Sequence, residues 1–132
     1  MKKENFNTFL KYYLFLLSFI AIFYLYQKPL EWNISEWLIN YQGGFTRRGF
    51  IGELAYTISK IFSIEVRSSI YLIQSTAVLL YFYLIYSFLK NINPEKFLIL
   101  AIFSPLFIIY PIAEVEALAR KEIFLLISFL FM

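Results

Sequence analysis

Cysteine, histidine and aspartate are all missing from this 132-residue chain, and only 16% of its residues are charged. Without cysteine there is no disulfide framework and no thiolate metal site. Without histidine the usual general base and the commonest metal ligand are gone. Any acid–base chemistry falls to Glu, Lys or Tyr, and nothing visible calls for a metal or other cofactor. The shortage of charge also argues against a soluble globule. Such domains carry about 25% charged and about 45–50% apolar residues, whereas this chain is 61% hydrophobic and 22% aromatic. Its net charge is +3. The basic residues do not cluster on one polar domain, so nucleic acid is set aside as a partner.

What is present is a succession of long apolar runs, the mark of a chain that meets a lipid bilayer. Residues 9–26 are broken only by Lys11, whose long stem can carry its ammonium toward the headgroups. Lys2 and Lys3 give this run the basic start of a signal peptide, but no small-residue cleavage site follows. Gln27, Lys28, Pro29 and the interface-favouring Trp32 and Trp37 come instead, so the run reads as an uncleaved first span. Residues 69–89 form a second span, closed by Lys90. Asn93 and Pro94 suit the cap and first position of the next helix. That helix is a third span over 97–112, with Pro105 expected to kink it. Residues 123–132 are apolar with no closing charge. As a helix they cover about half of the ~30 Å hydrocarbon layer. They read as a fourth span cut short, and the chain as the N-terminal piece of a longer protein.

The expected fold is therefore all-α: a polytopic helical transmembrane protein of three spans plus a truncated fourth, with 1–132 as a single membrane domain. Residues 27–67, between spans 1 and 2, do not cross. Ser35 suits the cap of a short helix that Gly43-Gly44 would end. Beyond them Ile51, Leu54, Ala55, Ile58, Ile61 and Phe62 recur at spacings of three and four, with Glu53, Thr57 and Lys60 on the other side. This predicts an amphipathic helix over about 51–64, lying in the membrane surface and weakened in its first turn by Gly52. A raw count of Lys and Arg favours an external N-terminus, whereas the flanks of the first span favour a cytoplasmic one, which we adopt. In either orientation residues 27–67 and 113–122 share one side, because two spans separate them.

That shared side carries the chemistry-bearing residues. The stretch 40–50 reads Asn-Tyr-Gln-Gly-Gly-Phe-Thr-Arg-Arg-Gly-Phe and holds three of the four glycines. Glycine lets a backbone approach a ligand closely, and Arg47 and Arg48 offer planar forks matched to phosphate. Headgroup anchoring would explain the arginines alone, but it does not need Gly43, Gly44 and Gly49. Together they suit an anionic, lipid-linked substrate, with Arg120 and Lys121 assisting. Glu53, Glu114 and Glu116 are the candidate general bases for deprotonating an acceptor hydroxyl while the arginines stabilise a leaving phosphate. Glu114, Glu116 and Arg120 also fit a solvated, salt-bridged turn, with Glu116 and Arg120 at helical i,i+4 spacing. Trp32, Trp37 and the tyrosines fit an interfacial belt and helix packing better than a sugar platform.

The string Gly-Gly-Phe-Thr-Arg-Arg-Gly-Phe-Ile-Gly-Glu at 43–53 resembles the GGFVRRG segment of polytopic bacterial inner-membrane proteins from surface-polysaccharide loci. Arg120-Lys121-Glu122 looks like a second motif of that group. The overall plan is similar to GT-C-type glycosyltransferases, in which a loop with surface helices after the first span contributes to the active site; an O-antigen-polymerase-like enzyme is the other form the resemblance allows. The resemblance implies a multi-pass protein of the bacterial cytoplasmic membrane that transfers or polymerises polyprenyl-phosphate-linked sugars, with room for other membrane subunits as partners. The GT-C pattern has an Asp-containing acidic motif after the first span, where this chain has only Glu31 and Glu36. The alternative is a non-enzymatic component, a transporter, flippase or assembly subunit that holds a lipid phosphate without bond chemistry.

Overall fold

The computed structural model describes residues 3–27, 31–45, 49–93, 95–104, 108 and 120–131. Among the described residues the helices are α1 (Lys3–Gln27), α2 (Glu31–Leu38), α3 (Gly49–Phe62), α4 (Val66–Leu89), α5 (Lys96–Phe103) and α6 (Ile123–Phe131), and the fold is all-helical. Among the described residues there is no strand.

The long pair α1 and α4 organises the rest. On α1 the buried positions Phe6, Leu10, Leu14, Leu17, Ala21 and Leu25 recur every three or four residues, one stripe of a helix. The opposite face is apolar too, with Phe9, Phe15, Phe19 and Phe23 exposed. A helix apolar all round is either buried in a large core or spans a membrane. Both α1 and α4 are long and apolar enough to cross one.

The two helices run antiparallel. At one end the Asn7 side-chain amide donates to the Lys90 carbonyl at 3.2 Å and the Lys3 ammonium to that of Asn91 at 3.4 Å. Toward the other end the Tyr71 hydroxyl donates to the Ile22 carbonyl at 3.4 Å, and the Tyr26 and Tyr71 rings meet at 5.6 Å.

At this second end sit α2 and α3, packed on each other and on α4. The surface helix predicted for 51–64 is α3, two residues earlier in register. It buries the small face Gly49, Gly52 and Ala55, while Phe50, Leu54, Ile61 and Phe62 are exposed. It ends without glycine. Ser63 takes the left-handed conformation (φ 51°), and the Ile64 N–H donates to the Ser59 carbonyl at 3.1 Å. This is the bond pattern of a Schellman cap. The Ser59 hydroxyl also donates to the Ile64 carbonyl at 2.6 Å, closing the reversal into α4.

Three local expectations are corrected. Ser35 lies inside α2, which begins four residues earlier, so it is not the cap. Asn93 does not cap α5: Glu95 precedes the helix with no side-chain cap, and its N–H donates to the Asn93 carbonyl at 2.9 Å. The helix expected over 97–112 stops at Phe103, and Ser104 is extended (φ −68°, ψ 135°). The residue before a proline is pushed out of the helical region, which accounts for the break at Ser104; Pro105 itself, where a kink was expected, lies outside the described residues. At eight residues α5 is about 12 Å long, too short to cross a bilayer by itself.

Helix α6 packs along α4 and begins at the α2–α3 end, where Phe124 meets Trp37 with ring centroids 6.0 Å apart. Its Ile123 and Ile127 join the main core with α1 and α4.

Candidate functional site

The glycine turn is built by short-range hydrogen bonds. The Asn40 side-chain oxygen accepts the Gln42 N–H at 3.1 Å, an Asx turn, and the Gly44 N–H donates to the Tyr41 carbonyl at 3.1 Å. Gly44 has φ +122°, a backbone region that side chains rarely adopt. Gly43 has no such demand, and a Cβ at either position would meet nothing within 4 Å. The turn is open to solvent on its glycine side. Beyond it Phe45 is 92% exposed and stacks on Tyr41 at 5.6 Å and 3°.

Glu53, on the first turns of α3, holds this loop from below. One carboxylate oxygen accepts the Tyr41 N–H at 3.1 Å, and the other accepts the Gln42 side-chain amide at 2.8 Å. Bonds to an ionised acceptor are stronger than neutral ones. The half-buried Glu53 therefore sets the turn's conformation with both of its oxygens, a task that charge patterning alone did not reveal.

The loop stands on a tight backbone contact. A Cβ on Gly52 would overlap the Ile39 carbonyl and lie 2.7 Å from that of Trp37, so α3 can touch the end of α2 only because residue 52 has no side chain. Gly52 thus supports the site rather than merely weakening a helix. Trp37 is likewise not a belt residue. It is fully buried and clusters with Ala55 and Ile70. Trp32's side chain lies outside the described residues.

Of the residues singled out from sequence, Gly43, Gly44 and Glu53 meet in one loop. Arg120, exposed, and Lys121, half-buried, lead directly into α6. Their carbonyls accept the N–H groups of Ile123 at 3.4 Å and Phe124 at 3.1 Å. Because Phe124 packs on Trp37, these two basic residues belong to the same end of the molecule as the glycine turn. Arg47, Arg48, Glu114 and Glu116 lie outside the described residues. Among the described residues no three carboxylates gather where they could hold a metal ion.

Comparison with protein-family models, curated proteins and solved structures finds no match to this chain. The functional argument therefore rests on the residues themselves.

Proposed function

We propose that this chain is a multi-pass protein of the bacterial cytoplasmic membrane that acts in envelope polysaccharide biosynthesis, transferring or polymerising polyprenyl-phosphate-linked sugars. In this reading α1 and α4 cross the bilayer. A third crossing carries the chain from the Lys90 end, where α5 starts, to the opposite end, where α6 starts the fourth. The N-terminus faces the cytoplasm, and the glycine turn with the start of α6 faces the other side.

The observation that carries the reading is the turn held by Glu53 just before Arg47-Arg48, at the end where Arg120 and Lys121 precede α6. A fixed turn, open on its Gly43-Gly44 side, admits a bulky anionic headgroup without first having to be ordered. The arginines would grip its phosphate in two-pronged fashion, and Arg120 and Lys121 would add charge as the leaving phosphate develops. Since both Glu53 oxygens are engaged, Glu53 positions the turn, and Glu114 or Glu116 takes the general-base role.

That same engagement favours a second reading. With Glu53 committed to the loop, the site can hold a lipid phosphate with no bond chemistry, as a transporter, flippase or assembly subunit would.

The test is surface-glycan profiling of cells carrying Arg47→Ala/Arg48→Ala in the native gene. Loss of a glycan, or build-up of its lipid-linked precursor at unchanged protein level, is expected. An unchanged profile reduces the pair to a membrane anchor. Glu114→Gln and Glu116→Gln then divide the readings: an enzyme loses turnover while still binding the lipid-linked sugar, whereas a carrier tolerates both changes.

A further inference from the structure

Beside the α1–α4 contact runs a groove of about 720 Å³, within the size range of small-molecule sites. Each wall is one helical stripe: Lys11, Phe15 and Ser18 on α1, and Leu79, Tyr83 and Tyr86 on α4. The Asn7–Lys90 hydrogen bond sets the register. One turn inward from it, on either helix, come Lys11 and Tyr86; two turns deeper come Ser18 and Leu79. The groove thus has a cationic, hydroxyl-bearing mouth and an apolar floor running about 10 Å along the helices. The Ser18 hydroxyl donates to the Phe15 carbonyl at 2.7 Å, so it is already engaged within its own helix. Among the described residues no carboxylate lines the groove.

We propose that this groove binds one anionic phospholipid, with an acyl chain along the floor and its phosphate on the Lys11 ammonium. This inference rests on α1 and α4 crossing a bilayer and is otherwise independent of the glycine turn, which lies at the opposite end. Lys11 stands two residues, about 3 Å of helix rise, inside the apolar run that begins at Phe9. Its stem reaches headgroup level from there. The Tyr86 ring beside it suits the same boundary, where amphipathic aromatics settle. Charge complementarity selects the headgroup. A zwitterionic lipid cancels its own phosphate charge, and an apolar helix laid in the groove would leave the ammonium without a counter-charge in a low-dielectric setting.

The test is reconstitution of the full chain into nanodiscs of equal phosphatidylglycerol and phosphatidylcholine, followed by native mass spectrometry of the released protein. Wild type should retain one phosphatidylglycerol in preference to phosphatidylcholine. Lys11→Gln should lower that preference about fivefold, as expected for one basic residue at an anionic surface. Lys11→Arg should restore it. Leu79→Trp, which fills the deep end, should reduce retention of either lipid, while Lys60→Gln on α3 should change nothing. Helicity by circular dichroism is followed for every variant. Equal retention of both lipids by wild type, or an undiminished preference in Lys11→Gln, overturns the proposal. So does a stable dimer that Leu79→Trp dissociates, because a second copy would then fill the groove. Failure of the chain to enter nanodiscs would sink the membrane reading as well, whereas entry without selective retention removes the groove alone.

Discussion

The Glu53 carboxylate accepts the backbone N–H of Tyr41 at 3.1 Å across twelve residues of chain, tying the base of α3 to the start of the glycine turn. With the second bond from Gln42 it converts a loop of exposed glycines into a defined shape. Shape there is a property of Glu53 as much as of Gly43 and Gly44.

Removing that tie should loosen the loop without unfolding the helices. Glu53→Ala loses both bonds and is expected to cost about 2 kcal/mol. Glu53→Gln keeps one good acceptor and should cost about half as much. Limited proteolysis should cut near residues 41–45 faster in the alanine variant. Equal cleavage in both would mean the carboxylate does not hold the turn.

Gly52 and Gly43 should respond very differently to alanine. At residue 52 the new methyl collides with the Ile39 carbonyl, so α2 must move away from α3. Overpacking of this kind costs about 1–3 kcal/mol or more. At residue 43 the methyl enters open space, and a change within about 0.5 kcal/mol is expected. Unfolding midpoints in one detergent would check the order; a larger loss at residue 43 would contradict the packing.

Trp37 fills the small core that joins α2, α3 and α4 to Phe124 of α6. Trp37→Ala should destabilise by about 3–5 kcal/mol and Trp37→Phe by less. The alanine change should also release the start of α6, with faster hydrogen exchange at residues 123–126. An interfacial belt residue would produce neither effect.

The α3–α4 reversal uses Ser63 where most helices of this ending use glycine. Ser63→Gly relieves a left-handed conformation worth about 1 kcal/mol and should raise the thermal midpoint. A fall would show that the Ser63 side chain itself holds the turn.

The sequence by itself determined the helical class, the two long apolar helices and the position of the α3 helix, because hydropathy and 3.6-residue periodicity are local properties. It also marked Gly43-Gly44 as a turn. Tertiary structure decided the rest. That Trp37 is core, that Gly52 is a contact point and that Glu53 grips Tyr41 all depend on which segment lies across from each residue. One-dimensional pattern carries no trace of such a neighbour. The early end of α5 lies between the two: Pro105 signalled a break, but whether a helix kinks or stops depends on whether neighbouring helices can take up the freed carbonyls. Around Ser104 the chain turns extended, the conformation that the steric push of the following proline ring favours.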